Sequence, residues 1–243
     1  MKNSLLITFL LLSAFSVAQD IQLHYDFGKP ENAPRHDYFI STVEMFRPDT
    51  LGSMYFFIDF QYNSPDKPRG VSLGYFEISH DFYIPWFKKS KIFKPLALHI
   101  EYDDGNAIYP SDSITRGTNL RSAWLGGFNY PIRMGNFTLN SIYLYKYIRG
   151  SVAPDFQITF AWNRDLFNKK VTLSGFLDVW SQDDFYGDPS NKKLVLYSEP
   201  QIWFNFYKKF SVGSEFKVSK NFLPGSNLVE VFPTLGVKWN LGL

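Results

Sequence analysis

The sequence predicts an all-β fold, a transmembrane antiparallel β-barrel of about twelve strands, and three observations carry that expectation. Residues 1–18 have the form of a secretion signal: Lys2 is a small basic n-region, residues 5–15 are an apolar run, and Ser16-Val17-Ala18 is a small-residue cleavage pattern before Gln19. Beyond Ala18 no apolar stretch approaches the ~18 residues that a spanning helix needs, yet aromatic residues make up 19% of the chain. Apolar and polar residues instead alternate through one strand-sized segment after another. The expected organisation is therefore a signal peptide over 1–18 and one outer-membrane β-barrel over 19–243.

Composition narrows the function classes. Lys and Arg total 25 against 23 Asp and Glu, and removing the signal deletes only Lys2, so the mature chain is close to neutral. Nucleic-acid binding normally needs a basic patch or stripe, and none is present. The absence of cysteine excludes a disulfide scaffold, a thiol nucleophile, a Cys-type zinc site and an acylated lipoprotein anchor.

The segments follow in order. Over 20–27, Ile21, Leu23, Tyr25 and Phe27 alternate with Gln22, His24 and Asp26. Segment 38–46 is less tidy, whereas 52–62 sets Met54, Phe56, Ile58, Phe60 and Tyr62 against Tyr55, Phe57, Asp59 and Gln61. After the weaker segment 71–83, residues 94–103 place Leu96, Leu98, Ile100 and Tyr102 opposite Ala97, His99, Glu101 and Asp103. Weaker patterns at 121–130 and 137–148 precede regular ones at 156–165, 170–182, 194–207, 210–219 and 228–241. With a periplasmic N-terminus, the extracellular connections are 28–36, 63–70, 104–120, 149–155, 183–193 and 220–227, mostly long and rich in Pro, Gly, Asn and Asp. The periplasmic turns 47–53, 131–136, 168–169 and 208–209 are short; the longer 85–95, with Trp86-Phe87-Lys88-Lys89, is assigned to the periplasmic interface.

In a membrane barrel the apolar face of each strand meets lipid, and a soluble barrel inverts that arrangement. Alternation alone does not separate the two. The aromatic residues Tyr62, Tyr102, Tyr130, Trp162, Phe206 and Trp239 fall near strand ends, where interfacial girdles sit, and favour the membrane reading, with Ile58, Leu98, Leu173 and Val237 facing lipid near mid-membrane. The polar face then lines a lumen. Its candidate ligand-binding residues are Asp59, Glu101, Phe176, Asp178, Trp180, Glu199, Gln201 and Trp203, since carboxylates and amides pair with sugar hydroxyls while aromatic rings stack on a base or sugar. The bland reading of the same residues is lumen-filling pairs that satisfy one another.

Several stretches resemble a known group: Ile21-Gln22-Leu23-His24-Tyr25-Asp26-Phe27-Gly28, Glu44-Met45-Phe46-Arg47-Pro48-Asp49, Phe57-Ile58-Asp59-Phe60, Tyr147-Ile148-Arg149-Gly150, Ser198-Glu199-Pro200-Gln201 and Pro233-Thr234-Leu235-Gly236-Val237-Lys238-Trp239. Nearly all of the mature chain resembles a Bacteroidetes family of uncharacterised outer-membrane proteins that is similar to the Tsx-like nucleoside-specific channels. The resemblance implies a monomeric barrel with a narrow lumen for nucleosides and assigns no binding role to any residue.

An enzyme reading requires a His-activated nucleophile. The only suggestive groupings are Ser79-His80 and His99-x-Glu101, and no Gly-x-Ser-x-Gly elbow is present. Asp183, Asp184 and Asp188 lack the spacing of a calcium loop and read as a solvated acidic loop. The expectation is a channel for passive diffusion of small solutes, nucleosides foremost, with outer-membrane lipid and a small-molecule solute as partners and no nucleic acid, catalytic residue, cofactor or metal. The alternatives are a non-pore binding or structural barrel and a lipid-modifying barrel enzyme.

Overall fold

The computed structural model describes residues 18–28, 38–63, 70–110, 115–184, 187–188, 190–223 and 226–242. The expected signal peptide lies almost wholly outside them; Ala18 opens the first strand. The strands are β1 (Ala18–Asp26), β2 (Tyr38–Pro48), β3 (Gly52–Tyr62), β4 (Val71–Tyr83), β5 (Ala97–Pro110), β6 (Thr115–Met134), β7 (Phe137–Ile148), β8 (Asp155–Leu166), β9 (Val171–Asp183), β10 (Lys192–Ser198), β11 (Gln201–Tyr207), β12 (Phe210–Lys220) and β13 (Val229–Asn240). Each pairs antiparallel with its neighbours, and β1 pairs with β13, so the sheet closes.

The segments β10 and β11 are one barrel strand interrupted at Glu199-Pro200. Both pair with β9 and with β12, and Tyr197↔Asp178 and Gln201↔Ser174 keep the same register across the gap. Pro200 has no N–H to donate to the ladder, which ends the regular pairing. The Glu199 N–H still donates to the Phe176 carbonyl at 3.1 Å, and the Pro200 carbonyl accepts from Phe216 N–H at 3.0 Å. Gly175 faces this point with φ 142°, and a Cβ there would lie 2.4 Å from the Glu199 carbonyl oxygen, so only glycine allows the strands to approach so closely. Counted this way the barrel has twelve strands.

Two expected boundaries move. The span 104–120 is mostly strand, since β5 runs to Pro110 and β6 begins at Thr115. A register shift opposite Asp104 breaks the alternation there: Asp103 pairs with Ala123 but Gly105 with Leu120, which disguises the strand as loop. The turn expected over 131–136 contracts to Gly135 and Asn136, with Gly135 at φ 62° and Pro131 paired to Asn140 inside the ladder.

Register assigns the faces. Ile58 aligns with Val43 and Phe76, and Val237 with Leu23 and Val212, on the outside of the barrel. Leu98 and Leu173 lie on the same outer face. Leu235 and Val237 remain 55% and 54% exposed. The expected girdle residues are outward too, Trp239 stacking on Phe210 at 6.1 Å and 12°. The inward face meanwhile buries Gln22, His24, Asp26, His99, Glu215 and Lys217. Apart from an inward apolar cluster of Ala123, Leu125, Ile142, Leu144 and Ile148 on β6 and β7, the outside is apolar and the inside largely polar, which is the membrane arrangement, the inverse of a soluble barrel. The start of β1 and the end of β13 lie at one end, hereafter the termini end, with the connections 49–51, 84–96, 135–136, 167–170 and 208–209; the connections that follow β1, β3, β5, β7, β9 and β12 lie at the other, hereafter the loop end.

Candidate functional site

All eight expected lumen residues fall on the inward face but not in one place: Phe176, Asp178, Trp180 and Glu199 form one group, Gln201 and Trp203 a second, and Asp59 and Glu101 lie on β3 and β5. The first occupies the loop-end half of the wall made by β9 and β10. Asp178 lies opposite Thr159 and Tyr197 in the ladder, and Trp180 lies opposite Val195. Phe176 and Tyr197 pack at 6.0 Å between ring centroids, Tyr197 and Phe222 at 4.6 Å, and Phe222 meets the Trp180 ring edge-on at 6.0 Å. The result is a continuous aromatic wall. Its polar companions are held in place: the Thr159 hydroxyl donates to Asp178 Oδ1 at 2.5 Å, and the Tyr197 hydroxyl to Glu199 Oε1 at 2.5 Å. Trp180 Nε1 donates to Gln182 Oε1 at 2.9 Å, and Lys146 Nζ sits 4.9 Å from its ring centroid.

The second group lies toward the termini. Trp203 is opposite Thr172, so the stretch from Val195 to Trp203 separates the two indoles by roughly 26 Å at ~3.3 Å per residue. Trp203 is 0% exposed. Its Nε1 donates to Gln201 Oε1 at 2.9 Å, the His24 ring packs against it at 5.5 Å and 75°, and Lys238 Nζ lies 4.2 Å from its centroid. Glycines make the room: a Cβ on Gly213 would lie 2.6 Å from the indole, and one on Gly236 2.7 Å from the His24 ring. Gln201 is committed as well, its Nε2 donating to Glu215 Oε2 at 2.7 Å. Below this group opens a pocket of about 520 Å³ lined by Asp20, Asn163, Asn205, Lys238 and others at the termini end.

A belt of carboxylates continues from the first group. Asp59, Glu77, Glu101, Asp103, Asp178, Glu199 and Glu215 come from six of the twelve strands, and Lys146, Lys217 and His99 lie among them. Lys217 Nζ reaches Glu199 at 3.9 Å and Glu215 at 4.0 Å. Asp59, Glu77, Asp178 and Glu199 are only half-buried and so still border open lumen.

Sequence reasoning missed Tyr197 and Phe222. Tyr197 has the same parity as Glu199 and Gln201 on one expected strand and could have been read from it; Phe222 follows β12 on a loop-end connection, and no periodicity points to it. The suggestive histidine groupings resolve structurally. Ser79 is buried on the inward face, while His80 points outward and pairs with Asp49 in the β2–β3 turn at 2.9 Å. His99 engages Asp81 through Nδ1 at 2.7 Å and Glu101 through Nε2 at 3.1 Å, which leaves neither ring nitrogen to activate a nucleophile. In the expected acidic loop Asp183 is taken by Lys192 at 2.6 Å and by the Val152 N–H at 2.8 Å.

With the geometry known, comparison with other proteins places the chain. Residues 18–241 match the model of a domain of unknown function, DUF5020. The chain belongs to that family. No curated protein matches in sequence. Among solved structures, it is similar to the NanC porin at 11% identity and a TM-score of 0.54, over 91% of this chain and 99% of that one. It also aligns with the KdgM porin crystallised with disordered oligogalacturonate, at 9% identity and a TM-score of 0.49 over 92% and 98% of the two chains. The translocator domain of the autotransporter NalP from Neisseria meningitidis aligns at 10% identity and a TM-score of 0.48, over 96% and 94%. The likeness to NanC establishes the fold of an outer-membrane β-barrel porin.

Proposed function

We propose that this DUF5020 barrel is a monomeric outer-membrane channel for passive diffusion of small solutes, and that nucleoside-like molecules, an aromatic ring carrying hydroxyls, are the class its lumen fits best. The observation that carries the reading is the aromatic wall of Phe176, Tyr197, Phe222 and Trp180 set beside the half-buried Asp178 and Glu199 on the lumen face. A ring stacks on such a wall while hydroxyls donate to the carboxylates, each stacked base contributing about 1–3 kcal/mol in single-strand binding. The fold shared with a porin and the apolar outer belt support an outer-membrane location in a Gram-negative bacterium. Cleavage after Ala18, the Bacteroidetes origin and the kinship with Tsx-like channels belong to the same reading.

The excess of carboxylates sets a further expectation, that anions are disfavoured relative to neutral and cationic solutes. One observation favours a second reading: the fully buried Trp203 fills part of the lumen, as in a barrel that binds solutes without conducting them. Planar-bilayer recording decides between them. The channel reading expects unitary currents that uridine or adenosine interrupt and that sugars of similar size leave unaffected. Nucleoside affinity without current is the result for a binding barrel, and current indifferent to nucleosides removes the nucleoside assignment.

A further inference from the structure

The wall formed by β4 and β5 crowds three carboxylates of the belt together. Glu77 and Asp103 are directly opposite each other in the ladder, and Glu101 precedes Asp103 by two residues on the same inward face. One oxygen from each of the three carboxylates lies within 4.8 Å of the others. Like charges directly opposite in a sheet are destabilising, so the site needs compensation. Among the described residues no ion pair reaches Glu77 or Asp103, and the nearby cations have other partners or only Glu101. His99 is held between Asp81 and Glu101, and Lys146 Nζ donates to Gln157 Oε1 at 2.6 Å and lies over Trp180.

A second observation comes from Asp103 itself. The residue is 5% exposed, and its buried Oδ1 accepts no hydrogen bond among the described residues. A buried carboxylate oxygen without a donor costs free energy that a bound cation would recover.

We infer that Glu77, Glu101 and Asp103 form a binding site for a hard divalent cation, calcium being the best fit, on the lumen wall. The donor set is all oxygen, which suits Ca²⁺ and Mg²⁺ and not the softer transition metals. Calcium holds its ligands at about 2.3–2.6 Å, so oxygens around one ion lie at most about 5 Å apart, matching the observed spread. Lumen water completes the shell. Glu77 Oε1 accepts from the Tyr75 hydroxyl at 2.7 Å, which orients this ligand and places a phenol beside the ion.

That phenol supplies the test. The refolded mature barrel, stripped with chelator, is titrated with Tb³⁺ while tyrosine is excited, and Ca²⁺ is then added in competition. The site predicts saturable sensitised emission that Ca²⁺ displaces, with affinity weakened about tenfold or more in Asp103→Asn and in Glu77→Gln, as fewer charged ligands weaken calcium sites. Asp188→Asn in the loop should leave it unchanged. Thermal unfolding guards against misfolding: without metal, Asp103→Asn should melt no lower than the wild type, and Ca²⁺ should raise the melting temperature of the wild type alone. Absence of saturable emission, or emission of undiminished affinity in both wall variants, overturns the inference.

Discussion

Two parts of the same lumen are built on opposite logic. Around Trp203 the polar atoms are matched: the indole N–H has Gln201, Gln201 has Glu215, and His24 is held by Thr234 at 2.9 Å and Gln22 at 3.0 Å. Along β4 and β5, carboxylates face one another and Asp103 keeps an oxygen without a donor. Polar groups buried and paired hold a structure together, whereas charge left uncompensated is available to whatever enters. In the proposed channel the Trp203 group fills part of the termini-end half, and the acidic belt with its aromatic wall is the surface that meets solute.

The largest effect that sharpens this contrast is expected from Trp203→Ala. Removing a fully buried indole should destabilise by about 3–5 kcal/mol in refolding from urea, with nucleoside block of the current little changed. Tyr197→Ala is the mirror case, lowering nucleoside affinity by stacking worth roughly 1–3 kcal/mol while stability moves less than in Trp203→Ala. If Trp203→Ala abolishes nucleoside block and Tyr197→Ala only unfolds the barrel, the two regions have been assigned the wrong way round.

A comparable break separates the two faces of one strand. Ile58→Arg, on the outer face of β3, should cost about 2–4 kcal/mol in lipid-bilayer refolding, while Asp59→Arg, inward on the same strand, should change ion selectivity more than the outward substitution does. Equal effects of both kinds at the two positions would overturn the facing.

The smallest effect lies outside the lumen. Asp49 accepts from His80 Nε2 and from the N–H groups of Leu51 and Gly52, and the His80 bond foremost holds its carboxyl below the usual range. A lowered folded-state value means that the contribution is present above the unfolded value of about 4 and is lost as pH falls through the folded one. Asp49→Asn should therefore lower stability modestly at neutral pH in urea unfolding, with the difference from the unsubstituted barrel closing as pH falls below about 4.

The period of two carried most of this architecture, because closure pairs the backbone and leaves side chains to sort by face. Asp59, Glu101, Asp178 and Glu199 were legible as lumen residues for that reason. It failed where the period itself breaks, opposite Asp104, where the bulge hid two strand extensions. Parity also carries no height: Trp180 and Trp203 share a face, and only the ladder shows that they sit in different halves of the barrel. Phe222 reaches the aromatic wall from a connection, where no alternation exists to announce it.

The central claim is that the acidic belt governs what crosses the lumen, and the reversal potential in a planar bilayer under a KCl gradient tests it most directly. The belt predicts a potential displaced toward the K⁺ equilibrium value, moving toward zero when Asp178→Asn and Glu199→Gln are combined. A potential on the Cl⁻ side in the unsubstituted barrel, or one that the double substitution leaves in place, would contradict it.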